Sequence, residues 1–313
     1  GNRFNRLLAN LLCLFNPKIK KRRHKDLPED FVVISWRAAT ASLLSRISNF
    51  FKLKGHFEEI QDYFLAKKTN KLAIKYNCHV ISYSTYATRA FKDINNKKIL
   101  FQMHPYVDYA KKIMLQEYKK NPDCKSCLKE YEFRIYKKTL DNLRAEPYKA
   151  DIIICPSTFC MKSLPKLDKN QLKFRIPYGS RTRPKKISAI RKAKEFSVVF
   201  IGSLTQRKGV LYFLKVAKIL DNLPIKFKLV SRSINDIYLY RRALATKNLE
   251  IYEDIDLKNL ENILTEASVF LFPSLLEGFA HVIVEAMHFG LVPVVSRNCC
   301  GPDFIKNDIN GYL

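Results

Sequence analysis

The sequence predicts an α/β protein of two consecutive parallel β/α domains, and three observations carry that prediction. Short runs rich in β-branched and aromatic residues recur along the chain, separated by longer amphipathic stretches. The alternation breaks once, at 180–194 (SRTRPKKISAIRKAK), a basic segment without periodicity or apolar content. It then restarts and continues to the last residue. A chain of 313 residues also suits two domains of ordinary size better than one core.

The elements follow in order. Phe4, Leu7, Leu8, Leu11, Leu12 and Phe15 recur at helical spacing beside Arg3 and Arg6, and six of the eight residues 18–25 are Lys or Arg. An amphipathic helix followed by a basic cluster can rest on an anionic membrane surface; the competing reading is a helix packed on its own domain. FVVISW (31–36), CHVISYS (78–84), KILFQM (98–103), DIIICPS (151–157) and KFRIPYG (173–179) read as strands, with helical stretches between them. Residues 1–179 therefore form the first domain and 180–194 the linker. The second domain, 195–313, offers FSVVFIG, a helix over about 209–220, KFKLVS, LEIYE, SVFLFPS and VPVVS, again with helices between. A first strand and a last β/α unit are expected to lie outside the chain. Ligands of such sheets bind beyond the carboxyl ends of the strands, so a cleft between the domains is the expected site.

Composition excludes several classes. Hydrophobic residues make up 47% and aromatics 12%, which is not a disordered composition. No apolar run reaches the roughly 18 residues of a membrane span, and the N-terminus lacks signal-peptide order. Eight irregularly spaced cysteines, several inside apolar runs, read as reduced thiols of a cytoplasmic protein. Cys124 and Cys127 have zinc-knuckle spacing but no second pair nearby, so no metal site is expected. The net charge of +27 favours polyanionic partners such as nucleic acid, anionic lipid or phosphorylated substrates, or else reflects lysine-rich solvated faces. No nucleic-acid-binding motif accompanies it, so no specific nucleic-acid partner is expected.

Two stretches carry chemistry. In FLFPSLLEGFAHVIVEAM, the strand delivers Glu277 to the carboxyl edge of the sheet, and Gly278 allows a close backbone approach there. The N–H groups of Gly278, Phe279 and Ala280 open the next helix, where an anion is favoured, and Glu285 lies two turns in. Two acids flanking an anion site suit a sugar nucleotide; the plainer reading is ordinary surface acids near a helix start. In FIGSLTQRKGV, a strand leads to Gly202, Ser203, Arg207 and Lys208 at a strand-to-helix turn. That turn can cradle a diphosphate or be a solvated basic loop. The string of a Walker loop is absent.

These two stretches, in this order and separation, resemble the C-terminal half of family 4 glycosyltransferases, retaining enzymes of the two-Rossmann GT-B fold. The resemblance covers about 196–313, with a looser match of strand order before it. It implies two Rossmann-like domains facing across a cleft and transfer of a sugar from a nucleotide-sugar donor to a glycan or lipid-linked acceptor, as in cell-surface polysaccharide synthesis. By the same resemblance Glu277 holds the donor sugar near its reacting carbon, and Glu285 binds the ribose hydroxyls. Gly278, Phe279 and Ala280 offer backbone N–H groups to the donor. Lys208 neutralises the leaving diphosphate, Gly202 opens that loop, and His104 reaches the donor sugar from the first domain. No metal and no other cofactor is implied. One departure is Ser203, where the family carries Arg; Arg207 and Arg232 are the candidates to supply the missing cation. The competing functions are a sugar-nucleotide epimerase of the same fold and a basic nucleic-acid-binding protein. The charge and the leading segment point to a lipid-linked or phosphorylated acceptor at the inner membrane face.

Overall fold

The structure, a computed structural model of the chain, describes residues 57–180, 195–234 and 236–313. The expected amphipathic segment at 4–15, the basic cluster at 18–25, the strand at 31–36 and nearly all of the linker lie outside the described residues. The chain divides into two compact units. Within the described residues one holds 57–80 with Arg89–Asn96, and the other holds Ile81–Thr88 with Lys97–Leu313.

The first unit contains α1 (Phe57–Tyr76), where the Arg89 guanidinium lies 4.3 Å from the Tyr63 ring centre. The second unit carries the two-sheet architecture. Its first sheet runs β1-β2-β3-β4, with β1 (Val80–Tyr83, of which Ile81–Tyr83 belong to this unit), β2 (Lys98–Phe101), β3 (Ile152–Cys155) and β4 (Leu172–Arg175). Parallel register pairs Leu100 with Ile153, and Ile153 with Lys173. Helices α2 (Val107–Lys120), α3 (Lys137–Lys149) and α4 (Thr158–Ser163) connect its strands. Ser157 caps α4 by accepting from the Cys160 N–H at 3.1 Å, one of the donors that a helix start leaves unpaired.

The second sheet is fully parallel, ordered β7-β6-β5-β8-β9. Its elements are β5 (Ser197–Ile201), α5 (Val210–Ile219), β6 (Lys226–Ser231), α6 (Ile237–Leu244), β7 (Leu249–Glu253), α7 (Leu257–Glu266), β8 (Val269–Phe272), α8 (His281–His288) and β9 (Val292–Val295). Ser197–Phe200 are all buried, as a central parallel strand covered on both faces requires. Helix α5 buries Val210, Leu211, Phe213, Leu214 and Ala217, one apolar stripe at helical spacing. Phe200, Phe213, Phe227, Phe270 and Phe272 form the heart of this core, with ring centres 5.3–5.8 Å apart. Burying each phenyl ring contributes roughly 1.5–3 kcal/mol. The last residues add a strand-like pairing beside β9, where Tyr312 N–H donates to Pro293 O at 2.8 Å.

The strand order places the site. Strand β5 lies between β6 and β8, so the chain leaves β5 toward one side of the sheet and returns through β8 on the other. The loops after these two strands therefore flank the crevice at which such sheets hold ligands.

The thiols Cys124 and Cys127 are buried in the apolar core, where desolvation pushes both up to about 12. Helix α8 opens at His281, later than the sequence reading has it. Gly278–Ala280 therefore precede the helix, with Ala280 as its N-cap in the left-handed region at φ 67°. Glu285 stands little more than one turn in, not two.

Candidate active site

Strand β5 ends at Ile201, and Gly202 N–H donates to Val230 O at 3.0 Å, which holds the loop against the end of β6. Residues Gln206–Lys208 then form one helical turn, closed by Gly209 at φ 76°. A buried network fixes that turn. Gln206 is fully buried; its Nε2 donates to Glu117 Oε1 at 2.6 Å, and its Oε1 accepts from Leu211 N–H at 3.0 Å. Glu117, on α2, also accepts from Tyr212 Oη at 2.8 Å and Asn121 Nδ2 at 2.7 Å. An acid buried this deeply is tolerated because its oxygens are fully engaged. It ties the basic loop to a helix of the other sheet.

The loop after β8 meets this turn directly. Arg207 O accepts from Leu275 N–H at 2.8 Å, and Ser274 Oγ lies 3.1 Å from both Arg207 O and Glu277 Oε1. Glu277 N–H donates to Asn298 O at 3.0 Å, and Asn298 Nδ2 donates to Leu275 O at 2.9 Å. Glu277 is therefore held from both ends of its loop. The residue is only 9% exposed; its carboxylate pairs with the Lys208 ammonium through Oε1, and Lys208 Nζ lies 5.7 Å from the centre of the Phe272 ring.

Gly278 is a glycine for a reason that the sequence reading did not give. A Cβ there would stand 1.9 Å from Met103 O, so the residue accommodates backbone of the loop after β2. The Gly278 carbonyl in turn accepts a hydrogen bond from Ser157 Oγ. This close approach brings His104 beside Glu277. The His104 carbonyl accepts from Gln102 Nε2 at 2.7 Å and from the Cys160 thiol at 3.2 Å. Its imidazole is held below the ordinary value of 6.5, first by desolvation and then by the Arg207 cation, with Glu277 and Glu132 opposing. His104 is an exposed residue at the cavity, and the protein packed around it disfavours the charged imidazole.

A cavity of about 490 Å³ lies over these loops. It brings together Gly202, Ser203, Lys208, Glu277, Gly278, Phe279, Ala280, Glu285 and His104, nine of the ten residues that the sequence assigns to the donor and the reacting sugar. Arg232, after β6, lines it as well. One end is apolar, made by Val230, Ile255, Leu257 and Leu260. Tyr178 lies beside the Phe279 side, its ring stacked on His281 with centres 5.1 Å apart.

Arg207 is the residue that the structure places elsewhere. Its guanidinium turns from this cavity to two acids that the sequence reading missed, Glu130 at 3.2 Å and Glu132 at 3.5 Å, and it donates to Leu276 O at 3.3 Å. Two carboxylates in a low-dielectric wall draw the nearest cation, and Arg207 answers to them. Nothing in the local pattern of KEYEFR marks Glu130 and Glu132, because their partner is more than seventy residues away in sequence.

Residues 182–313 match the family model described as Glycosyl transferases group 1. A Klebsiella pneumoniae relative, described as an uncharacterized 41.2 kDa protein in cps region, is 29% identical over 155 residues, covering 47% of this chain and 42% of its own. An Escherichia coli relative, UDP-Gal:alpha-D-GlcNAc-diphosphoundecaprenol alpha-1,3-galactosyltransferase, is 29% identical over 132 residues, 39% of this chain and 33% of its own. The chain thus spans less than half the length of the curated relatives it matches. Among solved structures, TarM superposes with a TM-score of 0.57 at 15% identity, over 79% of this chain and 48% of its own. That likeness shows the fold: two parallel α/β domains in the GT-B arrangement.

Proposed function

We propose that this chain carries the donor site of a glycosyltransferase that moves a sugar from a nucleotide sugar to a hydroxyl of a glycan or lipid-linked acceptor. The observation that carries the reading is the meeting of Lys208, Glu277 and His104, from three separate loops, in one cavity at the switch point of a parallel sheet. In this reading the apolar end holds the base and Glu285 takes the ribose hydroxyls. The diphosphate lies against Lys208 and the backbone of Gly202 and Ser203. Glu277 Oε2 and the neutral His104 ring hold the sugar, with Oε1 occupied by Lys208 and Ser274.

The Escherichia coli relative is named for a UDP-galactose donor and a lipid diphosphate-linked acceptor, which favours a UDP-sugar and a role in cell-surface glycan assembly. We assign retention of the anomeric configuration, as in family 4, and give the work of a divalent cation to Lys208 and Arg232. A thermal-shift panel of UDP-, GDP-, ADP- and TDP-sugars tests the reading. One of them is expected to raise the melting temperature, equally in EDTA, since a ligand that binds the folded state stabilises it. No shift with any of them sinks the proposal.

Arg232, and not Arg207, is assigned the charge missing at Ser203, because it lines the donor cavity while Arg207 is engaged by two acids. Arg232→Ala is expected to lower kcat/KM for the donor about tenfold with little change in melting temperature. Arg207→Ala instead strands the buried Glu132 and the partly buried Glu130, and is expected to destabilise the fold by about 3 kcal/mol. Melting curves beside donor kinetics separate the two, and a donor defect confined to Arg207→Ala would reverse the assignment.

A further inference from the structure

A second cavity, of about 520 Å³, adjoins the first and shares Met103, His104, Ser203, Lys208 and Glu277 with it. Its far wall is different, built from Ser84, Thr85, Tyr106, Glu130, Tyr131 and Glu132. Glu146, fully buried on α3, holds part of that wall by accepting from Thr85 N–H at 3.1 Å and Ala87 N–H at 2.8 Å. Donor and second cavity therefore meet at the side chains assigned to the donor sugar. A hydroxyl entering from the far wall would stand next to the reacting carbon.

On the proposed reading the acceptor sugar stands in this second cavity; we infer that Glu130 and Glu132 restrict it to an uncharged ring presenting hydroxyl hydrogens to carboxylate oxygens. The inference rests on the glycosyltransferase reading and narrows it. Three carboxylates (Glu130, Glu132, Glu277) line this cavity against two cations (Arg207, Lys208), and 3 − 2 leaves one negative charge. Neither cation is left for the acceptor: Lys208 is held by Glu277 and, on the proposed reading, faces the donor diphosphate, while Arg207, only 15% exposed, is held by Glu130 and Glu132. A phosphate or carboxylate on the incoming ring would meet that excess with no further cation among the described residues that line the cavity. A hydroxyl would not.

Glu132 adds a specific anchor. It is 7% exposed, its Oε1 faces Arg207, and its Oε2 has no hydrogen-bond partner among the described residues. A buried carboxylate oxygen left unpaired is unfavourable, and a hydroxyl hydrogen donated to this carboxylate from the cavity would remove the deficit, the carboxylate turning to meet it because Oε2 itself is covered. Burial raises Glu130 above the ordinary carboxylate value against the opposing pull of Arg207, so this wall resists further negative charge. The acceptor that fits is a neutral sugar, with any lipid diphosphate remaining outside the cavity.

The test uses the whole chain and whichever nucleotide sugar raises its melting temperature. Transfer is measured to p-nitrophenyl N-acetyl-α-glucosaminide and p-nitrophenyl α-glucoside, and to glucose 6-phosphate and p-nitrophenyl glucuronide as charged counterparts. The neutral glycosides are expected to be preferred by at least about tenfold in kcat/KM, as a site built for hydroxyl donors discriminates strongly. Glu132→Gln is expected to raise the acceptor KM by about tenfold, with the effect falling on the acceptor and not on the donor KM. Preference for a charged acceptor overturns the inference, as does an unchanged acceptor KM in folded Glu132→Gln. If that variant does not fold, the wild-type charge preference decides alone. Donor hydrolysis without transfer to either neutral glycoside also counts against the inference while leaving the donor reading intact. Absence of any donor shift removes both.

Discussion

Lys208→Ala is expected to lower turnover by about 10²–10³-fold, the loss that follows when a preorganised charge facing a developing anion is removed. The structure makes this residue hard to replace. Its ammonium is fixed by Glu277 and lies over the Phe272 ring, so on the proposed reading it is already positioned before a leaving group would develop charge. Glu277→Ala is expected to cost at least about tenfold, because it frees the lysine and, on the proposed reading, removes a contact to the sugar. The double variant is expected to lose less than the sum of the two, since residues that pair do not act independently. Single-turnover rates with the donor found by thermal shift provide the measurement. Wild-type turnover in either single variant would overturn the assignment.

Gly278→Ala and Gly209→Ala are expected to be the most damaging substitutions for folding and donor binding together. At Gly278 the new methyl carbon would lie 1.9 Å from Met103 O and 3.4 Å from His104 Cα, so the loop bearing His104 must retreat from the one bearing Glu277. At Gly209 it would lie 1.9 Å from Pro273 O, and the backbone at φ 76° is one that alanine adopts only with strain. Each substitution is expected to destabilise by about 3 kcal/mol, the upper range for forcing atoms into a packed site. Gly202→Ala is the internal comparison. Its nearest contact would be a Phe200 ring carbon at 3.3 Å, far less severe than the 1.9 Å approaches at the other two, so the effect there is expected to be the smallest of the three. Melting temperature and donor KM measured on all three variants check the order. Equal, small effects would show that the loops do not depend on these close approaches.

Much of this architecture was legible because it is encoded locally. Runs such as SVVFI, KFKLVS and VFLF are apolar and β-branched over a few consecutive residues, and every strand expected within the described residues is present. The stripe on α5 and the punctuation at Gly209 are local in the same sense. So is the arrival of Glu277 just beyond the end of a strand. What was misplaced by a turn, the start of α8, follows from an alanine held in the left-handed region, a conformation that no helix propensity predicts.

By itself, then, the sequence determined two parallel β/α domains and the loops that carry the site, because hydrophobic periodicity and turn chemistry act between near neighbours in the chain. Tertiary structure alone decided which charges meet. Lys208 finds Glu277 across 69 positions, Arg207 finds Glu130 across 77, and Gln206 finds Glu117 across 89. Gly278 is a glycine because Met103 arrives from the other sheet. Electrostatic and steric partners are set by distance in space, and a linear pattern holds no record of which buried acid will claim a given arginine.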